Sequence, residues 1–578
     1  MYFDFKVVIP KEKGKIFERT IKGVTYINYE YDRIYKPDKK YNIPKRTTIG
    51  KKCEDAPSMM YPNPNFLTYF PDAELPEDEG RTDRSSCLRI GTFLVLEKLM
   101  MESMLDKIVS DIYNDNRGSG LFLDLVSYYL TTENNAGQYY PDYAYNHPLF
   151  TPEYKIYSDS TVSEFLGQIS KDDAVKFQNE WNAIKKNKEK IYISYDSSNK
   201  NCQAGDIELV EFGHAKEEKG LPVFNYSIAY DCHNREPLFY EDYPGSIVDV
   251  SQLQCMLDKA KAYGYKNTGF ILDRGYFSRE NIRYMDKYGY DFVIMVKGMK
   301  ALVKDVIKEV RGTFEENRHY TIRKFGVNGT TVKRFVFPSD EKERYLHIYY
   351  SYHKAAAEKE QLEQRIDKLA AYFKKLEGQR VVPDKSYEKY FSLEYYHEGE
   401  DDSCFVCAIE KSSVIEEELR MCGYFCLITS ADMTAKEALE LYKSRDASEK
   451  LFKADKSFPG NKSMRVYSGE ALEGKILVAF VSLILRNRMY TKLKDEEERL
   501  SKQPNFMNVP AAIRELEKIE MVRQADGIYR LDHAVTANQK TMLKAFGIDA
   551  NYVKRKTNEI SNELNPKVKK VKIDGRKS

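Results

Sequence analysis

The sequence predicts a multidomain protein of the α/β class. Two short apolar runs, Ile191–Asp196 and Gly269–Asp273, have the length and composition of buried strands, and each ends in an aspartate beside turn residues. A helix is predicted between the capping box Thr434-x-x-Glu437 and Phe458-Pro459-Gly460, where proline and glycine cannot continue it. A chain of 578 residues, 42% of them hydrophobic, is long enough for three or four domains with sizeable cores.

Residues 1–80 are predicted to form a small β module. Val24–Tyr35 and Tyr41–Ile49 are rich in β-branched and aromatic residues, and the proline-rich stretch Tyr61–Pro64 follows them. Residues 1–60 hold 14 Lys and Arg against 8 Asp and Glu, a net charge of +6. Because DNA is a polyanion, we expect this basic module to bind it.

Residues 81–190 are predicted to be helical. Apolar residues recur between charged ones from Ile90 to Leu99 and again from Leu121 to Val126, as they do on amphipathic helices. We expect this helical region to take part in DNA binding as well.

Asp196 and Asp273 are candidate catalytic residues because each is predicted to lie where an apolar strand ends. Asp196 is followed by Ser197-Ser198-Asn199, and Asp273 by the turn Arg274-Gly275, after which Ser278 can cap a helix. In open α/β sheets, functional groups collect just beyond the strand ends. Aspartate is also a common turn former, so neither residue identifies a site alone.

The most informative stretch is the spacing Y-x2-R-x3-E-x6-K within the predicted helix. Tyr442, Arg445, Glu449 and Lys456 fall within an arc of roughly 60° on a helix that turns about 100° per residue. One carboxylate would therefore share a helix face with two cations and a phenol. A solvated, salt-bridged face has the same composition and is the alternative interpretation.

The carboxylates of Asp196, Asp273 and Glu449 suit divalent metal chemistry. Two ions about 3.5–4 Å apart can clamp a phosphodiester, and Mg²⁺ prefers the oxygens of carboxylates, water and phosphates. In this hypothesis Asp196 bridges both ions, while Asp273 and Glu449 each hold one. Arg445 and Lys456 would bind the flanking phosphates.

This pattern resembles the DDE transposases of bacterial insertion sequences, in the group with the Y-R-E-K signature, insertion sequence family four and its close relatives. The resemblance extends from Ile191 to Gly460. Two positions depart from the family pattern. Ser246 stands where relatives usually carry Asn, and the only tryptophan, Trp181, lies upstream of Asp196 rather than in the insertion. Besides the signature helix, the resemblance is carried by Tyr195-Asp196, Gly213-His214-Ala215-Lys216, Tyr243-Pro244-Gly245, Leu272-Asp273-Arg274-Gly275-Tyr276 and Gly423–Thr429.

The resemblance implies an RNase H-like catalytic core in two parts, residues 191–296 and 421–500, separated by a β-rich insertion at 297–420 that contains one long helix. It also implies roles for the residues named above. The three carboxylates would hold two Mg²⁺ ions, which Mn²⁺ can replace. Tyr442, Arg445 and Lys456 would contact the DNA backbone at the end of the element.

Within the insertion, the sequence predicts a hairpin over Tyr320–Phe337, turning around Val327-Asn328-Gly329. The long helix carries a heptad-like apolar stripe of about two heptads. We expect the stripe to pack on its own domain, and a dimer contact is the alternative. The stripe consists of Leu362, Ile366, Leu369, Phe373 and Leu376.

Residues 501–578 are predicted to form a C-terminal helical segment and a basic tail. Two short helices are expected between Pro510 and Gly547, on either side of Gly527–Leu531. Residues 551–578 hold 9 Lys and Arg against 3 Asp and Glu, a net charge of +6. The whole chain carries only +2, so an acidic body is expected between two basic ends that contact DNA.

Neither a signal peptide nor a membrane span is predicted. The N-terminus lacks the order of charged and then apolar residues, and the longest apolar stretch, Ile476–Leu485, is shorter than a bilayer-spanning helix. We expect this stretch to be a buried core helix and the protein to be cytoplasmic and associated with the nucleoid. The odd total of nine cysteines fits reduced thiols.

The cysteine spacing Cys404-x2-Cys407-x14-Cys422-x3-Cys426 has the form of a zinc site. Cys422–Thr429, however, is predicted to be a strand, in which residues four apart lie about 13 Å from each other and cannot share one tetrahedral ion. Zinc is therefore disfavoured.

The function predicted from these observations is that of a cut-and-paste transposase, which hydrolyses DNA at the ends of its element and joins the freed 3′ hydroxyls to target DNA. Its expected partners are terminal inverted repeats and target DNA, bound by a homodimer. Two alternatives stay open: an RNase H-like metal-dependent nuclease that does not transpose, and a transposase-derived DNA-binding protein that does not cleave. The presence of Asp196, Asp273 and Glu449 disfavours the second.

Overall fold

A computed structural model describes residues 2–564 apart from 4, 13, 22, 38–39, 74–83, 114, 186–190, 205–206, 214–219, 248, 266, 297–299, 398–402, 447–462, 501–504 and 506. The side chains at 196–197, 249–251, 300, 385, 397 and 403 also lie outside this description. The chain forms two compact units. Unit 1 comprises residues 1–132, 136–165 and 488–578, and unit 2 comprises residues 133–135 and 166–487.

The N-terminal part of the chain begins with a five-stranded antiparallel sheet in the order β1-β5-β4-β3-β2, followed by helices. The two strands predicted in this module are present as β3 and β4, and the helical region predicted after it is also present. The elements are β1 (Val7–Val8), β2 (Ile16–Ile21), β3 (Val24–Lys36), β4 (Tyr41–Lys52), β5 (Met59–Pro62), α1 (Pro64–Tyr69), β6 (Cys87–Arg89), α2 (Gly91–Glu102), α3 (Leu105–Tyr113), α4 (Asn116–Thr132), α5 (Tyr140–Asn146) and α6 (Asp159–Gln168).

The middle of the chain is built from alternating strands and helices. Its elements are α7 (Lys171–Ala183), β7 (Tyr192–Asn201), β8 (Val223–Asp231), β9 (Glu236–Pro244), α8 (Asp249–Ala262), β10 (Gly269–Leu272), α9 (Arg279–Tyr288), β11 (Asp291–Met295), α10 (Lys300–Val310), β12 (Thr321–Ile322), β13 (Val327–Arg334), β14 (Arg344–Tyr350), α11 (Tyr352–Leu376), β15 (Phe391–His397), β16 (Ser403–Glu410), α12 (Ser412–Met421), β17 (Tyr424–Thr429), α13 (Ala435–Lys443) and α14 (Gly469–Arg499).

A nine-stranded mixed sheet forms the centre of unit 2, in the order β12-β13-β14-β17-β11-β10-β7-β8-β9. β10 runs parallel to β7 on one side and to β11 on the other, and every other neighbouring pair is antiparallel. All four residues of β10 are buried, as expected for a central parallel strand covered on both faces. The core around it includes Leu253 and Leu257 of α8, Ile282 of α9 and Ile307 of α10.

The hairpin predicted in the insertion turns at a different place. β12 pairs with the start of β13 through a turn at 323–326, in which Gly326 adopts the left-handed φ of 62°. Val327-Asn328-Gly329 therefore begins β13, which pairs along its length with β14. Gly329 serves close packing rather than a turn, because a Cβ there would meet the Tyr349 ring at 2.8 Å. β12, β13 and β14 extend the central sheet, whereas β15 and β16 pair separately.

The apolar stripe of α11 packs within the insertion, as predicted. Ile366 and Phe373 are buried, and Phe373 lies 5.1 Å from the ring of Phe391 on β15 and 5.9 Å from that of Phe405 on β16. The helix and the two-stranded sheet thus share one small core.

The C-terminal segment belongs to unit 1. Both predicted short helices are present, and the residues between them form a hairpin that turns at Gly527, where φ is 77°. One strand of this hairpin also pairs with β6. The elements are α15 (Val509–Leu516), β18 (Glu520–Arg523), β19 (Tyr529–Leu531), α16 (Ala537–Ala545) and α17 (Ala550–Leu564).

The apolar stretch Ile476–Leu485 lies within α14 and is buried, as predicted. Within the part of the chain that the structure describes, no helix is long and apolar enough to cross a membrane.

We predict that the buried His347 makes unit 2 sensitive to acid. His347 on β14 is fully buried between the hydroxyls of Thr331 and Thr429, each 2.9 Å from a ring nitrogen. Burial lowers its pKa from 6.5 to about 4. Because the unfolded chain binds the proton more readily, the free energy of unfolding should fall by roughly 2–3 kcal/mol between pH 6.5 and 4.5.

His347→Gln should remove this part of the pH dependence, whatever its own effect on stability at pH 7. Urea unfolding can be followed through Trp181, the only tryptophan, which is buried in the same unit. The matched control is His319→Gln, because His319 is exposed. Equal pH dependence in wild type and His347→Gln would contradict the prediction.

Candidate active site

Asp273 lies where predicted, at the residue after β10. Its backbone is still extended, and the chain then enters a 3₁₀ turn at Arg274–Tyr276. The carboxylate Oδ1 accepts a hydrogen bond of 2.7 Å from the Arg274 amide. The preceding Leu272 is fully buried, whereas the Asp273 side chain is 44% exposed. A charged group thus stands at the solvent edge of a buried strand.

The position predicted for Asp196, at the end of its strand, is wrong. β7 continues to Asn201. It pairs with β8 as far as this end, and the last pair is Asn201 with Val223. Ser198, Asn199 and Lys200 are polar but only 2–6% exposed, so their polarity does not mark a strand end. The side chain of Asp196 lies outside the described residues.

The register of the two parallel strands sets the backbones of Asp196 and Asp273 side by side. Tyr195 on β7 is the partner of Leu272 on β10, and the next residue on each strand is an aspartate. Neighbouring strands are about 4.8 Å apart. β10 ends at Leu272, whereas β7 continues.

The predicted signature helix begins as expected. Thr434 caps α13 in a capping box with Glu437, whose carboxylate accepts from the Thr434 backbone amide at 2.8 Å. Tyr442 is in the last turn, and its side chain is 6% exposed. The guanidinium of Arg445 lies 5.1 Å from the centre of the Tyr442 ring. Contact of Tyr442 with DNA stays a prediction.

A single helix from Thr434 through Lys456 is not formed. α13 ends at Lys443, and Ser444 and Arg445 form a turn. The Ser444 hydroxyl donates to the carbonyl of Leu441 at 2.6 Å, a bond that competes with the backbone ladder. Glu449 and Lys456 lie outside the described residues, so their common face with Arg445 stays a prediction.

Arg445 joins the signature segment to the strand-end aspartate. Its Nη1 lies 3.2 Å from Oδ1 of Asp273, and only 12% of its side chain is exposed. The structure thus brings together Asp273 and Arg445, which sequence analysis proposed separately as metal ligand and phosphate contact.

Two further residues at the site were missed by sequence analysis. The side chain of Ser444 hydrogen-bonds to the thiol of Cys232, which follows β8 and is 9% exposed. The Cys232 amide donates to the carbonyl of Tyr192 on β7 at 3.0 Å. Ser444 was visible inside the signature, but nothing near Cys232 in the sequence signals this contact.

The carboxylate of Asp273 is suited to a hard divalent cation. It is partly exposed, and only its Oδ1 receives the bonds described above. Among the described residues, no group of three His, Cys, Asp or Glu side chains is close enough to hold a metal ion. Glu449 and the side chain of Asp196 lie outside the described residues. The suitability of the site for a metal ion is therefore judged from Asp273 alone.

Comparison with known protein families gives one clear match. Residues 198–485 match the family model of the transposase DDE domain. The chain carries a DDE transposase domain. The matched segment contains Asp273, Arg445, Glu449 and Lys456 and begins two positions after Asp196.

A solved structure is also similar to the chain. It is that of a piggyBac transposase, seen by cryo-EM in a synaptic complex with hairpin DNA, with 11% identity and a TM-score of 0.32. The similarity covers 81% of this chain and 76% of that one. No curated protein matches.

We predict that Cys232 of the DDE domain is protected from thiol reagents in the folded protein. Burial raises the pKa of its thiol to about 12, and only the thiolate is a good nucleophile. Cys255 on α8 is exposed and provides the internal control. Iodoacetamide labelling followed by mass spectrometry should modify Cys255 first and Cys232 only after unfolding. Equal labelling rates would show that the Ser444 turn does not cover Cys232.

Proposed function

We propose that this protein is a transposase that cleaves DNA at the ends of an insertion sequence and joins those ends to target DNA. The observation that supports the proposal is the register of β7 and β10 in a chain with a DDE transposase domain: Tyr195 and Leu272 are partners, and Asp196 and Asp273 are the residues that follow them. The contact of Arg445 with Asp273 adds a part of the Y-R-E-K signature to the same place.

The fold supports an RNase H-like core. Within the central sheet, β9-β8-β7-β10-β11 form a mixed part in which three consecutive antiparallel strands are followed by two parallel ones. Both aspartates belong to its two central strands or their ends. The spacing of Tyr442, Arg445, Glu449 and Lys456 supports membership of insertion sequence family four or a close relative.

Chain connectivity supports the third carboxylate. Glu449 follows Arg445 by four residues, so their Cα atoms are within about 14 Å of each other for any conformation. The described chain resumes at Ser463, which forms a bridge with Asn201 at the end of β7. The described residues on either side of Glu449 thus contact the two candidate strands: Arg445 contacts Asp273, and Ser463 forms a bridge with Asn201 of β7.

In this proposal Asp196, Asp273 and Glu449 would hold two Mg²⁺ ions, which Mn²⁺ could replace. Divalent ions held there would supply activation of the attacking oxygen and stabilisation of the leaving one. The protein's own cations position the substrate: Arg445 holds a phosphate through two hydrogen bonds and Lys456 holds a second one as a point charge. Tyr442 supports Arg445 and contacts the DNA backbone through its hydroxyl.

The proposed partners are the terminal inverted repeats and the target DNA, bound by a homodimer. The basic residues of the N-terminal 60 positions support binding to a polyanion. The substrate for a test is a duplex that carries the DNA flanking the gene on either side, where inverted repeats should lie.

We predict that Asp273→Asn abolishes cleavage of this duplex and leaves its binding nearly intact. The substitution removes metal charge without removing a phosphate contact, and loss of a metal-ion contribution of several kcal/mol slows cleavage by about a thousandfold or more. Strand cleavage with Mg²⁺ or Mn²⁺ measures this. The control is Asp305→Asn, an exposed acid on α10. Near wild-type cleavage by Asp273→Asn would place the active site elsewhere.

The products distinguish the alternatives. Joining of cut ends to a target plasmid is expected of a transposase. Cleavage without joining would identify a nuclease, and binding without cleavage would identify a DNA-binding protein derived from a transposase.

We further predict that Arg445→Ala and Lys456→Ala each remove one phosphate contact. Each should flatten the dependence of log K on log[salt] by roughly 0.7–0.9, whatever the DNA sequence. Tyr442→Phe loses one hydroxyl bond, which contributes about 1 kcal/mol. Lys436→Ala on the exposed side of α13 is the control. If both cation variants bind with the wild-type slope and cleave normally, the signature segment is structural only.

A further inference from the structure

The β3–β4 hairpin is longer than the sheet to which it belongs. β2 pairs with β3 only as far as Tyr29, and β5 pairs with β4 only from Gly50 onward. Beyond these points residues 30–36 pair with residues 41–46, and no other described strand pairs with either. We call these two stretches the β-ribbon. At about 3.4 Å per residue, its longer strand spans more than 20 Å.

The base of the β-ribbon is firmly tied. A β-bulge lies between Glu30 and Asp32, where the hairpin leaves the sheet, and bulges bend a strand. Glu30 is only 4% exposed and accepts hydrogen bonds from Nε of Arg33 at 2.5 Å and Nε of Arg46 at 3.0 Å. The bond from Arg33 is the main cause that lowers the pKa of Glu30. The β-ribbon thus projects from the sheet, and ion pairs between Glu30 and two arginines hold its base.

The β-ribbon exposes large side chains that a solvated hairpin does not need. Ile34 is 44% exposed, Tyr35 57% and Tyr41 54%. Exposed apolar side chains that lie together on polar surroundings indicate an interaction surface.

The register divides these side chains between two faces. Tyr35 is opposite Asn42, so both lie on one face with Arg33; Ile34 and Lys36 lie on the other. Arginine and asparagine are the residues that most readily bond to guanine and adenine edges, and an aromatic or apolar group can pack on the thymine methyl. Lys36 is exposed and forms no ion pair with a described residue.

We propose that the β-ribbon enters the major groove of duplex DNA and reads its sequence. This inference rests on the proposed function, because it takes DNA as the substrate, and it names the element, the groove and the residues that recognise it. Tyr35 and Asn42 face the base edges, and Lys36 binds a flanking phosphate. The terminal sequences of the element are the DNA to be read.

The dimensions select the groove. Two strands about 4.8 Å apart with their side chains fit the major groove, which is about 12 Å wide and admits a two-stranded β-ribbon, but not the minor groove, which is about 6 Å wide. The length of the β-ribbon exceeds the groove depth of about 8.5 Å.

The net charge of the N-terminal module favours DNA, rather than a second copy of the chain, as the partner of the β-ribbon. Residues 1–60 carry a net charge of +6, so two copies that met through this module would bring like charges together. A polyanion neutralises them and releases its counterions.

The test uses the full-length protein and the duplex that flanks the gene, with a scrambled duplex of equal composition. Tyr35→Ala and Asn42→Ala should each lower the ratio of specific to scrambled affinity about tenfold, because they remove base contacts. Lys36→Ala should weaken binding to both duplexes equally. It should also flatten the slope of log K against log[salt] by about 0.9. The matched controls are Tyr396→Ala and Lys368→Ala, which lie on exposed parts of the insertion. Unchanged circular dichroism shows that each variant is folded.

Methylation interference tests the groove, because dimethyl sulfate marks guanine N7 in the major groove and adenine N3 in the minor groove. Interference at guanine N7 is expected for the wild type, because a β-ribbon in the major groove lies against that edge. Interference confined to adenine N3 would overturn the proposal.

The remaining outcomes separate the inference from the function on which it rests. If the wild type binds and cleaves and the three β-ribbon variants match it in affinity ratio and salt slope, the inference fails and the transposase stands. If those variants change only the oligomeric state without DNA, the surface binds a second copy and the inference fails. If the wild type neither binds nor cleaves the flanking DNA, both fail.

Discussion

The parallel pairing of β10 with β7 and β11 is the constraint on which the rest of unit 2 depends. β10 has four residues, all buried, and its register with each neighbour is fixed along its whole length. Both faces of β10 are covered, so a shift by one residue would exchange the side chains that pack on the two faces. The register in turn decides which residue of β7 stands beside Asp273, and that residue is Asp196.

The two neighbouring strands β7 and β10 end at different positions. β10 ends at Leu272, whereas β7 continues to Asn201 with β8 as its partner. Asp273 is therefore half exposed at the edge of an otherwise buried strand, and the neighbouring chain segment that approaches it is the end of α13. α13 ends at Lys443, so Arg445 lies beyond the helix. Its guanidinium contacts Asp273.

The two units contribute different physical properties. The DDE domain lies mainly in unit 2, where strands from the insertion extend the central sheet and α11 packs on its own small sheet. The N-terminal sheet of unit 1 has a small core around Ile27 and Ile49 and projects a hairpin beyond it. A rigid core suits carboxylates whose spacing must match metal ions, and a projecting basic hairpin suits contact with a long polyanion.

Elements with local signals could be predicted from the amino-acid sequence. The strands of the N-terminal module, the cap at Thr434, the end of β10 at Asp273 and the buried helix around Ile476–Leu485 follow from periodicity and capping residues a few positions apart. The candidate residues Asp273 and Arg445 were also found in this way, because their motifs lie in short stretches.

Features that depend on residues distant in sequence became visible only in the folded protein. β7 continues past Asp196 because Ser198, Asn199 and Lys200 are buried beside β8, and a polar residue gives no local sign of such burial. The Ser444 side chain, just after α13, contacts Cys232, a residue that is far away in the sequence. The projection of the hairpin depends on where β2 and β5 stop pairing. In each case the deciding contact joins segments that the chain keeps apart in sequence and only folding brings within hydrogen-bonding distance.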